Sequence, residues 1–454
     1  MRRGARFWIA CAAALIGTLA GPAVSAQDAG EIRPAPYQVA WQDLEFGVII
    51  HFSTNTFLDH EWGDGTADPA VFNPTQFDPE QWMKAIRDSG AKYVILVAKH
   101  HDGFCLWPTD QTKYSVKSSP WKDGEGDVVG EVERAARKYG LKFGVYLSPW
   151  DRHEPKYKDS AEYDNYYNAQ LEELATNYGD LVELWLDGAG SAGHVYNFAR
   201  IIETLRTYQP TTVVFADTAL FEFGDARWVG NEAGRVTFEN WNIIDRHGYR
   251  RWRPVEADTP LRKGHWFWHP NDEASLKTVK ELLDTYDASV GRGAQLIMGV
   301  APDRRGLLPD ADVKRLEEFG AALRQRAEDN LATHHTPTTA QIAAALDNDP
   351  DTFWSAPAGS HHALLEVDFD KPETFDHAVT MEWLNDGQHV QKYAIEMWNE
   401  SERKWTPVVQ GQAIGHKKID RFPRVTTQRV RLNILSSTSE SHIREFQLFN
   451  WGAN

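Results

Sequence analysis

The stretch LVELWLDGAG, residues 181–190, decides the fold. Leu181, Val182, Leu184, Trp185 and Leu186 form a short apolar run that ends on Asp187, with glycines at 188 and 190. A run of this length bounded by turn residues reads as a buried strand. Five more runs share its character: FGVIIHF (46–52), YVILVAK (93–99), FGVYLSP (143–149), TTVVFAD (211–217) and AQLIMGVAP (294–302). Near-continuous apolar strands belong to parallel sheets covered on both faces. Between them lie amphipathic segments with helical spacing: DPEQWMKAIRDSG, VVGEVERAARKYG, AEYDNYYNAQLEELATNYG, VYNFARIIETLRTYQP and SLKTVKELLDTYDASVG. With two weaker strand candidates, ARWVGNE (226–232) and GHWFWHP (264–270), the alternation predicts an α/β fold: a (β/α)8 TIM barrel over residues 36–328. A doubly wound open sheet is the alternative.

At 328–339 the polar linker EDNLATHHTPTT ends the alternation. Short alternating runs follow, among them ALLEVDF, HAVTMEWL, YAIEMWN, RVRLNIL and REFQLFNW. They predict an antiparallel β-sandwich domain over 330–454.

Composition narrows the function. Three arginines, an apolar run and AVSA before Gln27 read as a signal peptide over 1–26, so the chain is expected to be exported, to a bacterial periplasm or exterior. No later segment is long and apolar enough for a membrane span. Cleavage removes three arginines and no acid, so a net charge of −17 becomes −20, which disfavours nucleic acid as a partner. Cys105 then stands alone among cysteines and makes neither a disulfide nor a cysteine-rich zinc site. Eighteen Trp against five Met suit either sugar stacking or an aromatic core.

In a barrel of this kind chemistry gathers at the C-terminal ends of the strands. Polar or aromatic residues follow nearly every run there: His51, His100 and His101, Tyr146 to Trp150, Asp187, Asp217, Glu232, then Trp266, Trp268 and His269. His100 and His101 are adjacent, and on an extended backbone they point apart, so a shared metal ion is disfavoured and none is expected in the barrel. Their nitrogens suit sugar hydroxyls, with Trp107 offering a stacking face. Trp185 and Asp187 leave one side of their strand. A carboxylate there could attack an anomeric carbon, and Glu232 in RWVGNEAG lies about one strand–helix–strand repeat further on. Glycoside hydrolysis needs such a pair, about 5–5.5 Å apart for retention and wider for inversion. Glu183, one pleat deeper than Asp187, reads as half of a structural ion pair, Asp217 as support for a pocket residue, and Glu239 as an alternative acid.

The motifs HFSTNTF, EWG, KHHDGFCLWPT, GVYLSPWD, LWLDGAG and WVGNEAG together resemble glycoside hydrolase family 29, the α-L-fucosidases, across 36–328. The resemblance implies a retaining double displacement with Asp187 as nucleophile. It implies fucose-pocket roles for His51, Glu61, His100, His101, Tyr146 and Trp185, with Trp62 in the same loop as Glu61 and Trp150 competing with Tyr146. GNEAG is similar to the branch with a glutamate acid/base on this loop, making Glu232 the acid/base and α-1,3/1,4-linked fucose of Lewis-type oligosaccharides or glycoconjugates the substrate. Trp266, Trp268 and His269 lie either over the next sugar or in the core. The second domain resembles a discoidin (factor V/VIII type C) module, which implies a structural Ca2+ in DNDPDTFW (347–354) and a bracing or glycan-binding role. A broader α-1,2/1,6 or aryl fucosidase, a hydrolase of another sugar, and a non-catalytic glycan-binding barrel are the competing functions. Oligomeric state is not legible.

Overall fold

A computed structural model describes residues 32–216, 224–246, 249–334 and 340–452. The expected signal peptide and Asp217 lie outside the described residues. Eight parallel strands close a barrel: β1 (Phe46–Ile50), β2 (Tyr93–Lys99), β3 (Lys142–Leu147), β4 (Glu183–Leu186), β5 (Val213–Ala216), β6 (Ala226–Trp228), β9 (Val255–Pro260) and β10 (Gln295–Val300), with β10 returning to β1. A short antiparallel hairpin, β7 (Ile243–Arg246) and β8 (Tyr249–Trp252), is inserted between β6 and β9.

The strands are apolar on both faces because they serve two cores. Val48, Ile50, Val94 and Leu96 face the surrounding helices, while Ile49, Tyr93, Ile95 and Val97 fill the barrel. Gly47 makes room for that filling, since a Cβ there would stand 2.3 Å from the Tyr93 ring. The helices begin where short polar side chains can accept from free backbone N–H groups: Asp78 before Pro79–Asp88, Asp127 before Val128–Lys138, Asp159 before Ser160–Asn177, and Thr278 with Glu281 before Val279–Ser289.

One strand assignment is corrected. GHWFWHP is not a strand; the strand beside β10 is β9, with the sequence VEADTP. Its Val255 and Ala257 join one apolar cluster, and its Glu256 and Asp258 alternate with them. All six residues are buried, so two carboxyls occupy positions that sequence patterning assigns to hydrocarbon.

The second domain is an antiparallel β-sandwich whose strands run in the order β11 (Trp354–Ser355), β16 (His442–Phe449), β12 (Ala363–Glu382), β15 (Lys418–Ser437), β13 (Val390–Asn399), β14 (Lys404–Gly411). It docks on the barrel through groups that precede the strands. Arg444 Nη1 donates to Asp43 at 2.6 Å, Lys417 meets Glu45 at 2.5 Å, and Ile419 N–H donates to the Gly291 carbonyl at 2.9 Å. Glu45 is partly buried, which opposes its charge, but Lys417 and His416 beside it hold its carboxyl well below the usual range. Asp43 and Glu45 precede β1 and Gly291 precedes β10, so this is the N-terminal rim of the barrel. It is opposite the strand ends that carry Asp187 and His100. Among the described residues no helix is long and apolar enough to cross a membrane.

Candidate active site

The C-terminal strand ends enclose a cavity of about 240 Å³. His51, His100 and His101 line one side, Trp228, Glu232 and Asp258 line another, and Trp185 and Asp187 also border it. Trp185 belongs to an aromatic column: its ring stacks on Phe215 at 4.0 Å and on Tyr146 at 5.4 Å, at interplanar angles of 5° and 15°.

Asp187 is a supported carboxylate of the cavity wall. Tyr146 Oη donates to its Oδ2 at 3.0 Å, and the Ala189 backbone N–H donates to Oδ1 at 2.8 Å. His101 Nε2 lies 3.5 Å from Oδ2. Burial works against the charge, but the His101 contact, the Ala189 N–H and the Tyr146 hydroxyl together hold the carboxyl below its ordinary value. Burial, then the Asp187 charge, keeps the Tyr146 proton in place. The tight turn after Asp187 depends on Gly190, which has φ +70° and lies so close to Trp150 that a Cβ would stand 2.0 Å from its ring.

The histidines differ from expectation in one respect. His100 and His101 follow the end of β2 in a turn rather than an extended strand, so both rings line the cavity, 4.2 Å apart. Burial holds His51 down to about 3 and His100 well below the usual histidine value, so both rings are neutral. Their Nδ1 atoms are buried without a hydrogen-bond partner among the described residues. A neutral imidazole with a free ring nitrogen is a hydrogen-bonding group for a hydroxyl. Ser148 Oγ donates to the Trp150 carbonyl at 2.7 Å and accepts from His101 Nδ1 at 2.7 Å, which fixes that ring. Behind the cavity, the buried ammonium of Lys99 donates to Asp151 at 3.1 Å and Gln170 at 2.9 Å, tying the end of β2 to the loop after β3.

Glu61 lines the cavity but is heavily engaged: it accepts from the Trp266 and Phe267 backbone N–H groups and contacts His269 Nε2 at 2.6 Å. Its role is to hold the 266–269 loop, which brings Trp266 to the wall. Trp62 is 53% exposed at the rim and packs edge-on against His101 and Trp150.

Several expected residues stand elsewhere. Trp107 is in the core, its indole N–H donating to Glu173 at 2.7 Å, so it offers no sugar-stacking face. Trp268 is on the rim loop but outside the cavity lining, under the Arg304 guanidinium at 5.6 Å. Trp150 does not line the cavity; it supports His101 while Tyr146 takes the lining position. Glu239 lies by Lys418, 3.6 Å away on the domain interface, and is no candidate acid. Among the described residues Glu183 has no cation: it accepts from Trp41 Nε1 at 2.9 Å and hydrogen-bonds to Glu256, a pairing of two carboxyls that requires a shared proton. Asp258 was not anticipated, because β9 was not read as a strand.

A family model described as Alpha-L-fucosidase matches residues 67–328, and a model described as F5/8 type C domain matches 329–446. The chain belongs to the α-L-fucosidase family. It is 36% identical to Alpha-L-fucosidase 1 of Arabidopsis thaliana over 87% of this chain and 83% of that protein. Among solved structures it is similar to SpGH29, with 32% identity and a TM-score of 0.84 over 92% of this chain and 98% of that one. It is also similar to a Ruminococcus gnavus GH29 fucosidase in complex with fucose, with 28% identity and a TM-score of 0.83 over 92% and 95% of the two chains. This fucosidase is thus a glycoside hydrolase with a parallel barrel and a discoidin-like β-sandwich. The lining suits that chemistry: neutral imidazoles can hydrogen-bond to hydroxyls, indoles offer an apolar face, and the Asp187 carboxyl is held below its ordinary value.

Proposed function

We propose that the enzyme is an exo-acting, retaining α-L-fucosidase that removes terminal α-1,3/1,4-linked fucose from Lewis-type oligosaccharides or glycoconjugates. The observation that carries this reading is Asp187, its carboxyl held low by the Tyr146 hydroxyl, the Ala189 N–H and the neighbouring His101, in a cavity of about 240 Å³ that Glu232 also lines. In the first step Asp187 attacks the anomeric carbon while Glu232 gives its proton to the leaving oxygen. In the second, Glu232 takes a proton from water as that water displaces Asp187. Asp187 is recessed and Glu232 is exposed at the mouth, which suits a fucose buried to its C1 and a leaving sugar outside. The exposed Trp62 supplies a rim surface for that second sugar. The chain's own carboxyls carry every step, and none is assigned to a metal.

We also propose export of the mature chain, read from the N-terminal sequence. A Ca2+ in the 347–354 loop would take Asp347 and Asp349 with backbone carbonyls. The loop's own donors already engage Asp347, from Thr352 Oγ1 at 3.1 Å and Asp349 N–H at 2.9 Å. Among the described residues no three His, Cys, Asp or Glu side chains converge on a metal position.

The test is fucose release from a Lewis a or Lewis x trisaccharide and from 2′-fucosyllactose. Wild type should prefer the Lewis sugars. Asp187→Ala should lose roughly a thousandfold or more of kcat. Glu232→Ala should be rescued by azide, giving an α-fucosyl azide, because azide displaces Asp187 in place of water and completes the second inversion. A Glu232→Ala enzyme that keeps most of its activity on the trisaccharide would move the acid/base elsewhere and remove the basis for the linkage assignment.

A further inference from the structure

The pocket contains a third carboxyl that the two-acid chemistry leaves unused. Asp258 stands on β9, one inward position beyond Glu256, and is 4% exposed. It lines the cavity together with Asp187 and Glu232. Its Oδ1 accepts from the Trp228 indole N–H at 2.6 Å, and Trp228 lines the same cavity. The neighbouring strands explain this pairing: Trp228 on β6 is in register with Glu256 on β9, so Asp258 lies just above the indole. Among the described residues Oδ2 makes no hydrogen bond to another residue.

Three carboxyls around one small cavity repel if all are charged. Burial pushes Asp258 up to about 8; the Trp228 bond opposes this, and the charges of Glu232 and Asp187 add to it. The group therefore carries its proton at neutral pH. It neither competes with Asp187 as a nucleophile nor adds a charge that would raise the Asp187 pKa. A neutral carboxyl with one oxygen committed to an indole has an O–H to give.

We propose that Asp258 is a further sugar-binding residue of the fucose pocket: Oδ1 fixes the Trp228 indole as a wall, and Oδ2 meets a hydroxyl of the bound fucose. It shares the cavity lining with the neutral rings of His51 and His100, so uncharged hydrogen-bonding groups from β9, β1 and β2 meet the sugar. The inference rests on this cavity being the fucose site and is independent of the linkage preferred.

The experiment compares Asp258→Asn, Asp258→Leu and Trp228→Phe. It measures fucose Kd by calorimetry, together with kcat and KM on an aryl α-L-fucoside. Asparagine keeps an acceptor for Trp228 and presents N–H donors where the acid has its O–H. Its Kd and KM should stay within about threefold of wild type. Leucine removes both contacts, and Kd and KM should rise about tenfold or more while kcat falls less. Trp228→Phe, which spares Oδ2, should weaken fucose less than Asp258→Leu does. An Asp258→Leu enzyme that binds fucose within twofold of wild type would overturn the proposal. So would an Asp258→Asn enzyme that folds normally but is weakened as much as the leucine variant. Wild-type turnover and its loss in Asp187→Ala report separately on whether the cavity is the catalytic site.

Discussion

Tyr146→Phe removes one donor from Asp187, the proposed nucleophile. The substitution deletes a single oxygen, the donor to Asp187 Oδ2 at 3.0 Å. The ring remains, with its stacking on Trp185 at 5.4 Å and on His100 at 5.9 Å, so the barrel interior keeps its packing. A hydrogen bond to a charged group contributes about 1.5–3 kcal/mol. Its loss should cost about ten- to a hundredfold in kcat/KM. The same energy is a change of about 1–2 units in the Asp187 pKa, since 1.36 kcal/mol is one unit. The sign is set by which form reacts: in the proposed mechanism Asp187 attacks as the carboxylate, so activity is lost as pH falls through its pKa. Tyr146 helps depress that pKa, and removing it moves the acid limb of kcat/KM to higher pH. The assay is kcat/KM on an aryl α-L-fucoside from pH 4 to 9, with thermal unfolding of both proteins as a control. A Tyr146→Phe enzyme with an unmoved acid limb and kcat/KM within twofold would refute the argument that this hydroxyl stabilises the nucleophile.

Two further outcomes concern groups beneath the pocket. Burial raises the pKa of both Glu183 and Glu256, and their mutual contact adds to it for Glu256. Acids with raised folded values contribute stability that is complete below the ordinary glutamate range and is lost as pH rises through the folded values. The unfolding temperature should therefore fall from mildly acid toward alkaline pH, and Glu256→Gln should flatten that fall; a variant with the slope of wild type would remove the shared proton from the account. Lys99→Met leaves Asp151 buried without its cation, which should cost about 3–5 kcal/mol by denaturant unfolding. Lys99→Met with Asp151→Asn should recover part of it, and a single variant within 1 kcal/mol of wild type would show that the pair does not hold the β2–β3 junction.

The runs YVILVAK and LVELWLD were legible as strands because both faces of β2 and β4 meet hydrocarbon, and that requirement is written in every residue. Asp187 was legible for the same reason: it ends such a run and is followed by glycines that permit the turn against Trp150. The polar alternation after residue 340 likewise announced a sandwich, since one face of each strand meets a core and the other meets water. β9 was not legible. VEADTP looks like a loop because its inward positions carry carboxyls. Only the closed barrel, which brings Trp228 to Asp258 and Glu183 to Glu256, makes those positions tolerable. Trp107 failed in the opposite direction. An indole near two histidines in sequence resembles a sugar platform, but Glu173, 66 residues away, takes its N–H and draws the ring into the core. The sequence by itself determined most of the barrel strands, which strand end carries Asp187, and that an antiparallel domain follows the barrel, because these follow from local periodicity and turn chemistry. The tertiary structure decided which polar side chains face the cavity, which of them are neutral, and which rim the second domain covers, because burial and charge depend on neighbours that come from distant parts of the chain.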